Sequence, residues 1–121
     1  DIFGDNYATH DGTCVRDYVH VMDIASAHVK GLEWLDHNSG CFIFNLGSGK
    51  GYSVLEVVKA CEEITGITAE YIVQEPRVGD PPVLVANSDL AKLCLGWMPS
   101  YSLEEIISDA YEWLSVYSKT S

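Results

Sequence analysis

Apolar residues along the chain follow two alternating patterns, short continuous runs and stripes with helical spacing. Residues 14–21 are rich in β-branched and aromatic side chains, which predicts a strand. Residues 41–46 form a continuous apolar run, typical of a strand buried on both faces, and residues 70–74 predict another strand. The runs therefore predict short strands separated by helices.

Helix-end signals accompany the apolar stripes. Apolar residues between Ile24 and Leu35 recur at every third or fourth position, which predicts a helix that ends by Gly40. Ser53 and Glu56 have the spacing of a capping box, in which each side chain bonds the other residue's backbone N–H. This pair predicts the start of a second helix.

Two further helices are predicted in the last third of the sequence. One covers residues 88–95 and stops at Gly96, and the other starts at Ser102 with Glu105 as its capping acid. We expect the apolar stripe of the last helix to pack in the core; it consists of Leu103, Ile106, Ile107, Ala110, Trp113, Leu114 and Tyr117. The order of elements predicts an α/β fold, a small mixed domain of about four helices and several short strands.

The charge of the chain limits its partners. It has 121 residues, 18 acidic and 7 basic, and a formal net charge of −11. That length predicts a single domain over residues 1–121. An excess of acid repels a nucleic-acid backbone and an anionic membrane surface, so we expect neither as a partner. No apolar run approaches the roughly 20 residues that span a bilayer.

Four cysteines, Cys14, Cys41, Cys61 and Cys94, form no Cys-x-x-Cys pair. We expect four buried free thiols, which favours a reducing, cytoplasmic location. The chain opens on Asp1 with neither an initiator Met nor a signal peptide, which indicates trimming or a piece of a longer protein.

A glycine-rich stretch, Gly-Ser-Gly-Lys-Gly-Tyr at 47–52, lies between the apolar run and the second helix. A dinucleotide fingerprint would have its third glycine at Tyr52. A Walker-type phosphate loop would need Gly in place of Phe44 and Ser or Thr in place of Gly51. A tight turn and a backbone contact to an anion both remain open interpretations.

Arg16 and Arg77 are the two arginines of the chain. Each has an acidic neighbour, Asp17 or Asp80, with which it could form a structural salt bridge. Alternatively, the two guanidinium groups hold an anionic ligand, because they bind phosphate bidentately and retain their charge. The residues alone leave both interpretations open.

Catalytic motifs are absent from the sequence. None of the seven tyrosines is followed by Lys four residues later, so the Tyr-x-x-x-Lys base of short-chain dehydrogenases is missing. The four histidines, His10, His20, His28 and His37, are spread over different elements, and we expect them to be structural or solvated.

Three stretches, taken in order, resemble one enzyme family. They are Arg-Asp-Tyr-Val-His-Val-Met-Asp-Ile-Ala at 16–25, Asn-Leu-Gly-Ser-Gly-Lys-Gly-Tyr-Ser-Val at 45–54, and Pro-Arg-Val-Gly-Asp-Pro at 76–81. The set is similar to the C-terminal part of UDP-glucose 4-epimerases, isomerases of galactose metabolism among the extended short-chain dehydrogenase/reductases. Residues 11–13, 95–97 and 101–105 match in place as well, so the resemblance covers essentially the whole chain.

The resemblance implies a role for individual residues. In such enzymes an N-terminal Rossmann domain binds NAD, and the C-terminal part grips the UDP-sugar. By position, Arg16 and Arg77 match the two arginines that meet the nucleotide diphosphate, and Phe3 resembles the residue beside the uracil.

Further residues of the same pocket follow by analogy. Tyr18 and Val54 match pocket residues near the nucleotide, and Asp80 matches the acid that hydrogen-bonds a ribose hydroxyl. Leu84 stands where some family members place a Tyr close to the sugar, so the resemblance does not define the hexose.

The family's NAD loop, its catalytic Ser or Thr and its Tyr-x-x-x-Lys base have no counterpart in these 121 residues. The resemblance therefore implies a region that binds UDP-sugar or UDP, lacks the Rossmann half, carries no cofactor alone and is inactive alone. It also implies that helix 23–35 and strand 42–46 normally pack on the Rossmann sheet. Because that sheet is missing, we expect a homo-oligomer or an exchange of elements between copies.

Two other interpretations stay open. The chain could derive from a related nucleotide-sugar enzyme, such as a uronate or pentose epimerase or a dehydratase. It could also be a stand-alone, non-catalytic association module that has kept this fold.

Overall fold

Four helices and five short strands make up the computed structural model, which describes residues 1–117. The strands are Ile2–Phe3 (β1), Val15–Asp17 (β2), Gly51–Ser53 (β3), Val73–Gln74 (β4) and Val83–Leu84 (β5). The helices are Val21–Leu35 (α1), Val54–Thr65 (α2), Asp89–Leu95 (α3) and Leu103–Tyr117 (α4). The predicted α/β class, with four helices and several short strands, is confirmed.

Two small sheets set the positions of the loops. β2 is the central strand of a three-stranded sheet in the order β3-β2-β5, antiparallel to β3 and parallel to β5. β1 and β4 form a separate parallel pair. Because β4 lies beside β1 and β5 lies beside β2, the loop that joins β4 to β5 spans the space between β1 and β2.

Two predicted capping boxes are present. Ser53 Oγ accepts a hydrogen bond from the Glu56 N–H at 3.0 Å, and the Glu56 carboxylate accepts from the Ser53 N–H at 2.7 Å. Ser102 and Glu105 repeat the arrangement at 3.2 and 2.7 Å, at the start of α4. α3 ends at Gly96, as predicted, in the left-handed conformation with φ 60° that glycine adopts without strain.

The core centres on Trp97, whose side chain is 1% exposed. Its indole packs with Ala27 of α1 and Ala91 of α3. The indole N–H donates to the Asp23 carbonyl at 2.9 Å and to Ser26 Oγ at 3.1 Å. The ring thus packs against both helices and also hydrogen-bonds the first turns of α1. It therefore holds α1 against α3.

His20 and Asp23 join the start of α1 to the approach to α4. His20 Nδ1 accepts from the Met22 N–H at 3.0 Å, and its ring stacks on Tyr101 with the centroids 4.0 Å apart. The buried Asp23 carboxylate accepts from the Ser100 N–H at 3.0 Å. The expected structural role of the histidines therefore holds for His20.

The strand predicted at 41–46 is wrong for the described chain. These residues have no strand partner, and Ile43 is 82% exposed. A strand needs a neighbouring backbone to satisfy its N–H and C=O groups, and no described strand lies beside this segment. The strands predicted at 14–21 and 70–74 are present but shorter, as Val15–Asp17 and Val73–Gln74.

Two expectations about burial are also wrong. The α4 stripe is buried only in its first turns, at Leu103 and Ile107, whereas Trp113 is 62% exposed. The four free cysteines are not all buried. Cys14 is, but Cys41 is exposed, and the other two are half-buried.

Candidate functional site

A cavity of about 250 Å³ lies where β1, β2 and the β4–β5 loop meet. It brings together five of the six site residues that the sequence pointed to: Phe3, Arg16, Val54, Arg77 and Asp80. Asp1, Ile2 and Cys14 complete its lining. Side chains that are far apart in the sequence therefore surround one small space with an aromatic ring, two cations and carboxylates.

Arg16 is held in place by backbone groups. Its Nη1 donates to the Val15 carbonyl at 2.8 Å and to the Pro81 carbonyl at 2.9 Å. Its Nη2 lies 3.9 Å from Asp80 Oδ2. The salt-bridge interpretation thus applies to Arg16 with Asp80, and the pairing of Arg16 with its neighbour Asp17 is wrong.

Arg77 makes a different contact. Its guanidinium carbon lies 3.8 Å from the centroid of the Phe3 ring, which is the geometry of a cation–π interaction. Among residues 1–117, the ion pairs within 4.0 Å include none at Arg77, so its pairing with Asp80 is also wrong.

Tyr18, the sixth predicted residue, does not line this cavity. It follows β2, and burial raises the pKa of its hydroxyl, while the charge of nearby Arg16 acts in the opposite direction. The structure therefore places Tyr18 close to Arg16 but outside the cavity wall.

The glycine-rich loop at 47–52 binds a carboxylate from β2. The Asp17 carboxylate accepts from the Ser48 N–H at 2.8 Å, Ser48 Oγ at 2.6 Å, and the Gly49 and Ala86 N–H groups at 3.1 Å each. A Cβ on Gly47 would approach Asp17 Oδ2 to 2.5 Å, so glycine is needed there. The loop is thus a tight turn fixed by Asp17, and it offers no vacant cradle for a phosphate.

The N–H groups of Ser48, Gly49 and Lys50 in the glycine-rich loop are already bonded, so they are not free for the pyrophosphate of a dinucleotide such as NAD. Within residues 1–117, the one stretch that follows the fingerprint in part is this loop, and its first N–H groups already bond Asp17. The next one, on Lys50, bonds Ser48 Oγ at 3.1 Å. A pyrophosphate would have to displace all of these contacts.

Sequence reasoning missed two residues near the cavity. The first is Cys14, which lines the cavity. The second is Tyr7, beside Cys14: burial raises the pKa of its hydroxyl, and the Cys14 thiol adds to the rise. A signal for Cys14 was present in the sequence: it stands two residues before Arg16 in the strand predicted over residues 14–21, and residues two apart on a strand share a face.

A second cavity, of about 620 Å³, has Arg16 in its wall as well. Residues 44–46 and 84–87 line it, and Leu84 is among them. Asp17 bonds both the glycine loop and Ala86, so the same carboxylate that fixes the loop also fixes this wall. Arg16 therefore stands between a small charged cavity and a larger, more open one.

No helix within residues 1–117 combines the length and apolar character needed to cross a membrane. In the same part of the chain, no cluster of three or more His, Cys, Asp or Glu side chains could hold a metal ion.

Two known proteins similar to this chain are both named UDP-glucose 4-epimerase. The UDP-glucose 4-epimerase of Corynebacterium glutamicum is 47% identical over an alignment of 122 positions, which covers 99% of this chain and 36% of the relative. That of Halalkalibacterium halodurans is 47% identical over 113 residues, 93% of this chain and 34% of the relative. No family model matches the chain.

Solved structures agree with these relatives. The UDP-glucose 4-epimerase from Stenotrophomonas maltophila, with bound NAD and formylated UDP-arabinopyranose, has a TM-score of 0.94 at 42% identity. It matches 99% of this chain and 36% of its own. The chain is a homologue of the C-terminal part of UDP-glucose 4-epimerases. This epimerase homology confirms the family that the three sequence stretches indicated, and the chain spans about a third of the length of the curated relatives.

A second epimerase structure shows what a relative binds. The enzyme from Bifidobacterium longum, in complex with NAD⁺ and UDP, has a TM-score of 0.86 at 40% identity and matches 94% of this chain and 34% of its own.

Proposed function

We propose that this chain is the UDP-sugar-binding region of a UDP-glucose 4-epimerase-like enzyme. The observation that carries the proposal is the cavity in which Phe3, Arg16, Arg77 and Asp80 converge. An aromatic ring suits a base, two guanidinium groups suit a diphosphate, and a carboxylate suits a ribose hydroxyl. These are the chemical parts of UDP.

The charge of the chain makes this convergence informative. With 18 acids against 7 bases, the net charge of the chain disfavours the binding of an anion. The two arginines nevertheless line the same cavity of about 250 Å³. Arg16 is already oriented by two carbonyl groups, so it would lose little side-chain freedom when a phosphate binds.

We assign the sugar to the larger cavity that also contains Arg16. A diphosphate bound at Arg16 would direct the attached sugar toward Leu84 and the wall fixed by Asp17. This wall presents Leu84 where some family members place a Tyr.

The direct test is calorimetry with the purified chain and UDP. We expect saturable one-to-one binding, and we expect no conversion of UDP-galactose to UDP-glucose by the chain alone, since the sequence has neither an NAD fingerprint nor a Tyr-x-x-x-Lys base. Absence of UDP binding would contradict the assigned site, and turnover would contradict the assigned inactivity.

Calorimetry with two nucleotide sugars tests whether the chain derives from a related nucleotide-sugar enzyme instead. The UDP-glucuronic acid 4-epimerase of Bacillus cereus is 25% identical to this chain, with a TM-score of 0.81. Tighter binding of UDP-glucuronic acid than of UDP-glucose would favour a uronate epimerase.

Self-association is a second candidate function, favoured by the unpaired apolar segment 41–46. Ile43 is 82% exposed, and α1 presents Leu32, at 67%, and Val29, at 56%, to solvent. Between α1 and the segment lies an apolar cavity of about 620 Å³. Unpaired strand-like backbone beside apolar surface favours pairing with a second copy.

Sedimentation velocity tests this association. We expect a dimer or larger species at high concentration, and we expect Ile43→Lys to shift the population toward monomer because a charge would be buried at the contact. Val78→Lys, at a fully exposed position of the β4–β5 loop, is the matched control and should leave the distribution unchanged. A monodisperse monomer at all concentrations would contradict self-association.

A further inference from the structure

We propose that Arg77 makes the site specific for nucleoside diphosphates by covering Phe3 until a diphosphate draws its guanidinium away, an inference that rests on the UDP-binding function proposed above. Without phosphates, a nucleoside would have to displace Arg77 from the ring and would offer it nothing in return. Arg77 thereby discriminates against unphosphorylated nucleosides.

The contact that carries this inference is the stack of Arg77 on Phe3. The guanidinium carbon lies 3.8 Å from the ring centroid, and both side chains line the same cavity. A planar base that stacks on an aromatic ring needs the same space above it. The ring face that Arg77 covers is therefore closed to a base while the guanidinium remains there.

Arg77 is free to move in a way that Arg16 is not. Arg16 donates hydrogen bonds to two carbonyl groups and lies near Asp80. No ion pair described for residues 1–117 involves Arg77. Residues 70–79 are all exposed, and Gly79, at φ 89°, gives the loop a turn next to Arg77. The cation–π contact is thus the one described interaction that holds the Arg77 side chain in place.

The relative strengths of two contacts determine whether the Arg77 guanidinium stays on the Phe3 ring or moves to a diphosphate. An exposed cation–π contact is weak, and charge-assisted hydrogen bonds from a guanidinium to phosphate are among the stronger polar interactions. A diphosphate bound at Arg16 would therefore outcompete the Phe3 ring for Arg77. The same movement frees the ring for the base, so binding of the base and of the diphosphate is coupled through one side chain.

Removing the Arg77 guanidinium should change the affinities for UDP and for uridine in opposite directions. In Arg77→Ala we expect the affinity for UDP to fall by about ten-fold or more, because a charged donor to the diphosphate is lost. We expect the affinity for uridine to rise by about two- to five-fold, because the ring is uncovered. Calorimetry measures the first, and an NMR titration with millimolar uridine measures the second.

Two further variants complete the experiment. Lys59→Ala removes an equal charge from an exposed position on α2 and should change neither affinity. Phe3→Leu removes the ring, and in that background Arg77→Ala should no longer improve uridine binding, which a double-mutant cycle measures. A fall or no change in uridine affinity on Arg77→Ala, or uridine binding too weak to detect in both proteins, would overturn the proposal while UDP binding stands. No UDP binding to the unmodified chain would overturn the proposed function itself.

Discussion

Trp97→Ala is expected to lower the free energy of unfolding by about 3–5 kcal/mol, in the range of buried Trp truncations. The side chain is 1% exposed and packs between Ala27 and Ala91. Its loss would leave a cavity between α1 and α3 and would remove the donor that bonds the Asp23 carbonyl. Because the effect approaches the whole stability of a small domain, the variant should be largely unfolded near physiological temperature.

Urea unfolding followed by far-UV circular dichroism measures this loss. The matched control is Trp113→Ala, the same substitution at a ring that is 62% exposed, which should cost less than about 1 kcal/mol. Equal losses in the two variants would show that the core does not centre on Trp97.

Arg16→Ala is expected to reduce the affinity for UDP by about ten- to a hundred-fold, the equivalent of one or two charged hydrogen bonds. Arg16 is oriented by the Val15 and Pro81 carbonyls and lines both cavities, so it can contact the diphosphate where the two cavities meet. Arg16→Lys should recover only part of the affinity, because an ammonium cannot bind a phosphate bidentately.

Calorimetry of the variants beside the unmodified chain measures the effect. Lys92→Ala, which removes a cation from an exposed position on α3, serves as the control for net charge and should bind UDP normally. An Arg16→Ala variant that is folded and binds UDP as tightly as the unmodified chain would rule out the cavity as the diphosphate site.

The helices could be predicted from sequence because their signals are local. Capping pairs such as Ser53 with Glu56 lie three residues apart, and a glycine such as Gly96 ends a helix through its own backbone conformation. Such signals act within one or two turns, so they hold whatever surrounds the helix.

The strand at 41–46 and the outer half of the α4 stripe could not be predicted correctly in this way. An apolar pattern shows which residues favour burial, but a partner must supply the surface that buries them. Ile43 and Trp113 both remain largely exposed, because no described element covers them. The apolar pattern thus indicates that these two segments would bind an apolar surface.

For the site, the resemblance named residues that the fold then brought together, but it could not give their contacts. The pairing of β2 with β5 brings Arg16 beside the Pro81 carbonyl and Asp80, which lie about 65 residues away along the chain. That register depends on long-range packing, so the ion pairs assumed from sequence neighbours were wrong. The role of Asp17 as the anchor of the glycine loop was missed for the same reason.

A crystal structure of the chain grown with UDP would test most directly whether the cavity lined by Arg16 and Arg77 binds UDP. We expect the diphosphate between Arg16 and Arg77, the uracil beside a Phe3 ring from which Arg77 has moved, and the ribose within hydrogen-bonding distance of Asp80. UDP bound elsewhere, for example on the glycine-rich loop that Asp17 now fills, would contradict this expectation.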